Sequence, residues 1–210
     1  MKSELRATRS EGMATRRRIL DNAVALFVER GLGGVSVKAI ADAAGVFPSQ
    51  INYYFDSKEA LFVEAACREA VHIGTAVEKA GLGARSPAEF VSAILGAAFE
   101  SPSLLLFAEA MSVARFDRAL RHQVGATLAK LHHEGERAVR ETLDRQGWRL
   151  RTSPAVEAQA YWATVLGVAL QQAALPSASA GDVAESVISM FFNLHPDIDD
   201  APTAARTDRP

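Results

Sequence analysis

Apolar residues recur at helical spacing along most of the chain. Ile19, Leu20, Ala23, Leu26 and Phe27 share one face of a helix predicted over 14–30, and Gly31 follows as a stop. Ser36 is placed to cap a short helix over 37–44 that Gly45 closes. Pro48 fits the first turn of a third helix, reaching about Tyr54. Asp56 or Ser57 caps a fourth, which runs to about Lys79. Beyond the linker 80–86, Pro87 opens a helix to about Phe99, and Ser101-Pro102 begins one to about Arg115. A long amphipathic stretch then runs from Asp117 to Gln146, where Gly147 ends it, and Pro154 starts a helix that stops before Pro176. Asp182 to Leu194 reads as a last helix with Val183, Val187, Ile188, Phe191 and Leu194 on one face. No strand alternation and no internal repeat breaks this pattern, so the predicted fold class is all-α.

Residues 1–13 are polar and lack periodicity, which predicts a mobile arm, and 196–210 read as a disordered tail. The predicted organisation is an arm (1–13), a small helical unit (14–56) continuing into a connecting helix (57–79), a larger helical domain (80–195) and the tail.

Composition narrows the class. With 49% apolar and 23% charged residues the chain is globular rather than wholly disordered. A single cysteine, Cys67, excludes an intrachain disulfide framework and a Cys-based structural zinc site. Residues 158–181 carry no formal charge, but the dense apolar part, Ala160 to Leu170, is eleven residues. A bilayer span needs about 20. That stretch reads as a buried helix, and no membrane partner is expected. The N-terminal segment has no apolar core of the secretory kind, so a cytoplasmic location is expected. Charge is uneven. Residues 1–55 carry eight Lys/Arg against five Asp/Glu, and the remainder fifteen against twenty. A basic first quarter on an acidic body points to a polyanionic partner for the first unit.

The stretch from Val37 to Phe55 is the most informative. Two short helices flank Gly45, and Ile40, Ala41, Ala44, Val46, Ile51 and Phe55 supply a small core. A glycine in the turn lets the backbone reverse without a Cβ clash. This is the pattern of a helix-turn-helix, whose second helix enters the DNA major groove and offers its N-terminal residues to base edges. Pro48, Ser49 and Gln50 hold those positions, and Asn52 lies further along. The amide of Gln50 has the geometry to pair with adenine. Its alternative role is a helix cap, since it stands at N3 if Phe47 is the N-cap.

Residues 14–64 resemble the N-terminal domain of the tetracycline-repressor (TetR) family of bacterial regulators. The segments TRRRILDNAVALFVERG, SVKAIADAAGV and INYYFDSKEALF stand in the family's order and spacing. The resemblance implies an all-α dimer with ligand-relieved repression as its usual activity. It also implies phosphate contacts from Ser36 and Lys38 at the second helix, from at least one of Tyr53 and Tyr54, and from Lys58. Packing is the alternative role for either tyrosine. A solvated helix start is the alternative for Arg16, Arg17 and Arg18. The sequence departs from the common pattern at Phe47 and Pro48, where many relatives carry Ser and Lys. A phosphate or guanine contact is thereby lost, and Phe47 offers a ring to a thymine methyl instead.

In that family the input is usually a small molecule bound among the helices after residue 80. An apolar pocket with a few polar groups is the usual composition of such a site. The expected lining is Phe99, Leu106, Phe107, Met111, Phe116, Tyr161, Trp162 and Leu166, with Glu109, Arg115 and Gln171 as polar candidates. The effector expected is a largely apolar small molecule. The last two helices have wide apolar faces that self-association would cover, so the expected partners are a second copy of the chain and a palindromic double-stranded DNA operator.

Enzymatic readings find little to stand on. No Gly-x-Ser-x-Gly, His-Glu-x-x-His or phosphate-loop motif is present. His132-His133 is a poor metal pair because adjacent helical residues point apart, and His122 is about three turns away. No catalytic residue, metal or cofactor is expected. The rival reading is a helical small-molecule-binding or scaffold protein without operator binding.

Overall fold

The computed structural model describes residues 2–175, which form eight helices and no strand. In chain order these are α1 (Lys2–Arg30), α2 (Val37–Ala44), α3 (Pro48–Phe55), α4 (Lys58–Gly81), α5 (Pro87–Phe99), α6 (Leu104–Ala114), α7 (Arg118–Gln146) and α8 (Pro154–Ala174). The expected helix over 182–194 and the tail 196–210 lie outside the described residues.

Local chemistry explains most of the boundaries. Ser36 accepts from Ala39 N at 3.1 Å to start α2. Gly45 ends it at φ +62, where Val46 N bonds Ala41 O and Gly45 N bonds Asp42 O. That paired closure is a Schellman motif, and the left-handed residue at its centre favours glycine. Ser57, Ser86, Asp117 and Ser153 cap α4, α5, α7 and α8 in the same way as Ser36, each accepting from a first-turn N–H.

Two expectations are corrected. The segment expected as an arm is helical from Lys2, continuous with α1. It holds Lys, Glu, Leu, Arg and Ala, good helix formers, with no proline to stop them. Ser101-Pro102 does not begin α6. Leu104 N bonds Ser101 O, so Pro102 takes the second position of a β-turn and the helix starts at Leu104. The end of α4 at Gly81 agrees with the expected end near Lys79.

The helix α4 is the axis of the molecule. Leu61, Phe62, Val63, Ala65, Ala66, Cys67, Ala70 and Ile73 are all buried along it. So long a run of buried side chains needs several packing neighbours, and α1, α5, α6 and α7 all contact it, while His72, Thr75 and Lys79 stay exposed. Its 24 residues span about 36 Å at 1.5 Å each. Phe27 of α1 and Phe62 of α4 meet edge-to-face at 5.0 Å and are fully buried, locking the N-terminal unit onto this axis. The buried residues of α1–α3 and those of α4–α8 join in one cluster. No single described helix is long and apolar enough to cross a membrane.

Candidate nucleic-acid interface and inner cavity

The N-terminal unit sorts its polar side chains into braces and exposed groups. Arg16 bridges to Glu64 on α4 at 2.5 Å, and its guanidinium lies 4.7 Å from the centre of the Phe55 ring. Arg18 Nε donates to Ala44 O at 2.8 Å, tying α1 to the end of α2. Arg17 stays outward, 3.9 Å from Asp21. The arginine run is therefore more than a solvated helix start: two of its members fix the angle between helices.

Lys58 behaves the same way. Its ammonium donates to Leu32 O at 2.9 Å and Val35 O at 3.0 Å, closing the α1–α2 loop onto the start of α4. The resemblance implied a phosphate contact for it. In the structure two of its three donors are already spent inside the fold.

The expected base-reading end of α3 is open. Phe47 is 76% exposed, and Pro48, Ser49 and Asn52 are exposed as well. Gln50 is half-buried, and its Oε1 accepts from Phe47 N at 3.0 Å. That bond is the cap role. Its amide Nε2 faces no bonded partner among the described residues. The two tyrosines divide. Tyr53 is 80% exposed, while Tyr54 packs against the core, and its hydroxyl lies 3.5 Å from where a Cβ on Gly12 would stand. Tyr53 is thus the phenol free to reach a phosphate. Lys38 is exposed and held by Asp42 at 2.6 Å, and Ser36 keeps a hydroxyl proton beyond its cap bond. These groups border one turn whose backbone is pinned from both sides.

A second feature lies among α4, α5, α7 and α8. It is a cavity of about 140 Å³ walled by Gly74 and Val77, by Phe90, Val91 and Ile94, by Leu131, Gly135 and Ala138, and by Ala158, Tyr161 and Trp162. Two glycines set its walls. A Cβ on Gly74 would stand 2.9 Å from Leu131 Cδ2, and one on Gly135 would stand 3.2 Å from Ala158 Cβ. Tyr161 donates its hydroxyl to Ile94 O at 2.7 Å, and burial pushes its phenol pKa up. No described acceptor bonds the Trp162 indole N–H. The rim is acidic and partly balanced. Arg137 bridges Glu78 at 2.9 Å and Glu141 at 3.2 Å, and Thr152 bonds Glu157.

Of the eleven residues expected to touch a ligand, this cavity includes Tyr161 and Trp162. Leu106, Phe107 and Leu166 are core, and Phe99 and Met111 pack on its edge. Phe116 is exposed, with the Arg115 guanidinium 4.3 Å from its ring centre. Gln171 is exposed. Glu109 is half-buried, and desolvation raises its carboxyl pKa. Sequence reasoning favoured large side chains on α6 and α8 and missed the glycines. An isolated glycine inside a helical pattern was the available signal. Among the described residues no group of three or more His, Cys, Asp or Glu could hold a metal ion.

Comparison with known proteins accords with this geometry. Residues 19–65 match the family model of bacterial regulatory proteins of the tetR family, and residues 87–191 match that of the bacterial transcriptional repressor C-terminal domain. A solved structure from Rhodococcus sp. RHA1, of a protein proposed to be a transcriptional regulator, is 35% identical and superposes with a TM-score of 0.77, over 86% of this chain and 95% of that one. Escherichia coli NemR in its reduced form is 19% identical, over 88% of this chain and all of that one, with a TM-score of 0.69, a likeness of fold alone. The transcriptional repressor KstR2 of Rhodococcus jostii is 47% identical over 49 residues, which are 23% of this chain and 24% of that protein. The chain thus matches about a quarter of that curated relative's length.

Proposed function

Because the chain belongs to the TetR family of bacterial regulatory proteins, we propose that it is a homodimeric, DNA-binding transcriptional repressor released from a palindromic operator by a small effector. The observation that carries the DNA reading is the division of labour around α3. Arg16, Arg18 and Lys58 hold the helix-turn-helix from behind, and Pro48, Ser49, Asn52 and Tyr53 are left exposed. Exposed polar side chains at the start of a recognition helix reach base edges, and an exposed phenol reaches phosphate. In this reading Gln50 Nε2 donates to adenine N7, and its Oε1 accepts from adenine N6 through the lone pair that the cap bond from Phe47 N leaves open. Ser36, Lys38 and Tyr53 fix register on the phosphates. A cytoplasmic location goes with that partner.

The dimer is proposed to form through α8 and the segment after it. Val156, Leu170 and Leu175 are exposed on α8 and the residue closing it, which supports an apolar seam there. Two recognition helices about 34 Å apart then address successive major grooves on one duplex face.

The effector proposed is a compact, largely apolar molecule. A space of about 140 Å³ is close to one that holds benzene, roughly 150 Å³ in an engineered cavity. The Trp162 N–H would give it one polar anchor. Coupling runs along α4. Gly74 and Val77 wall the cavity, and Lys58 at the other end grips the α1–α2 loop. A molecule that displaces α4 at the cavity swings the recognition helices apart, and linkage makes the weakening reciprocal.

The test is fluorescence anisotropy of labelled duplexes at several salt concentrations, with small aromatic compounds added. Steeply salt-dependent, sequence-selective binding relieved by one of them supports the reading. Binding of the compounds with no DNA binding would favour the scaffold or ligand-binding alternative.

A further inference from the structure

We infer that Phe47 is a specificity-determining residue that reads thymine through its C5-methyl group. The inference rests on the DNA-binding reading above and adds which base is selected and by which group.

The ring occupies an unusual position for a phenylalanine. It stands at the N-cap of α3, where a side-chain oxygen would normally accept from the first turn. A phenyl ring has no such atom. Gln50 supplies the missing stabilisation from the other direction, its Oε1 accepting from Phe47 N at 3.0 Å. The cap function has therefore moved to Gln50, and the Phe47 side chain has no local bonding role. Nor does it have a packing role, since it is 76% exposed while Val46 before it and Ile51 after it pack into or against the core.

The ring is exposed, yet its backbone is not loose. Val46 N bonds Ala41 O at 3.0 Å on one side. Gln50 N bonds Phe47 O at 2.9 Å on the other. Pro48 restricts the preceding residue to extended geometry, and Phe47 sits there at φ −81, ψ 147. An apolar ring is thus presented on a fixed pedestal at the end of the recognition helix, before any partner arrives. Pre-organisation of this kind reduces the ordering cost of binding.

Chemistry then selects the target. The ring carries no donor or acceptor for a hydrogen bond to a base edge. It carries no charge for a phosphate. In the major groove the one apolar group that distinguishes a base pair is the thymine methyl, and phenylalanine is among the side chains suited to it. A broad protein-binding patch is a poorer fit. Polar Ser49 and Asn52 lie exposed beside the ring in sequence, and of the other exposed large side chains only Tyr53, which carries a polar hydroxyl, is on α3; the rest are on α1, α8 and loops remote in sequence.

The test uses the full-length protein and the duplex it selects from a random pool. Each thymine of that duplex is replaced in turn by deoxyuridine, which lacks only the methyl. The wild-type protein should lose roughly fourfold in affinity when the contacted thymine of one half-site is replaced, and roughly 15-fold when both are. Phe47→Ala should bind the selected duplex more weakly and should no longer distinguish thymine from deoxyuridine at those positions. Circular dichroism confirms that the variant is folded, and Phe47→Leu, which keeps an apolar tip, should retain part of the discrimination. Indifference of the wild-type protein to deoxyuridine at every position overturns the inference, as does undiminished discrimination by Phe47→Ala. So does a selected duplex without thymine in the recognised positions. Failure to enrich any duplex strikes the DNA-binding reading itself, and this inference with it.

Discussion

Replacing Lys58 by methionine separates two roles that one ammonium group can play. Methionine keeps the apolar stem and removes the charge and donors. In the structure Lys58 Nζ serves Leu32 O and Val35 O, both in the loop between α1 and α2. Hydrogen bonds from a charged donor contribute about 1.5–3 kcal/mol each when sheltered. The side chain is only half-buried, so solvent screening brings the pair down to about 2 kcal/mol in total. For a chain of this size 1 kcal/mol moves the melting temperature by about 2–4 °C, so the variant should melt about 4–8 °C lower. The assay is thermal unfolding by circular dichroism at fixed protein concentration, which matters because a dimer's midpoint depends on concentration. The second arm is the salt dependence of DNA binding well below the melting range. A lost phosphate contact in each half of a dimer would flatten the logarithmic salt slope by about 1.8. The brace predicts an unchanged slope. An unchanged melting temperature with a flattened slope would refute the reasoning and restore Lys58 to the phosphate contacts.

Other variants probe other parts of the account. Tyr53→Phe should leave the melting temperature unchanged and weaken DNA binding several-fold, whereas Tyr54→Phe should leave DNA binding unchanged. Equal effects in a binding titration would contradict the division between an exposed and a packed phenol. Gly135→Val should cost about 1–3 kcal/mol in denaturant unfolding by forcing α7 from α8, because its Cβ meets Ala158 at 3.2 Å. Gly96→Ala, where nothing lies within 4 Å, should instead gain about 0.5–1 kcal/mol. For Glu109, burial raises the folded pKa above the unfolded one. The cost of its charged form is therefore present above the folded pKa and disappears as pH falls below the unfolded value. Glu109→Gln should stabilise the protein at neutral pH, with a gain that shrinks on acidification through the carboxylate range; a gain independent of pH would contradict this.

How much of this was legible in the sequence depends on the range of the interaction. The α2 and α7 boundaries follow from residues next to them, Ser36 with Gly45 and Asp117 with Gly147, and those could be read directly. Helix-turn-helix recognition was equally local, because its core residues and its turn glycine lie within twenty positions of one another. Lys58 shows the limit. Its partners are 23 and 26 residues away, and nothing about a lysine after a serine says which carbonyls it will meet. The cavity shows another. Large apolar residues on α6 suggested a ligand site, but large residues fill space. The opening instead follows where Gly74 and Gly135 let helices approach and leave a gap beside them. At Lys2 to Met13 polarity suggested an arm, while the intrinsic helix preference of the same residues carried α1 to its start.

The central claim is that this chain binds a specific DNA sequence as a symmetric pair. Its most direct test is selection of duplexes from a random pool by the full-length protein, followed by titration of the winner against salt. The account predicts a palindromic consensus with half-sites about one helical turn apart and an affinity that falls steeply with salt. A correctly folded protein that enriches no sequence, or binds all duplexes alike, would contradict it.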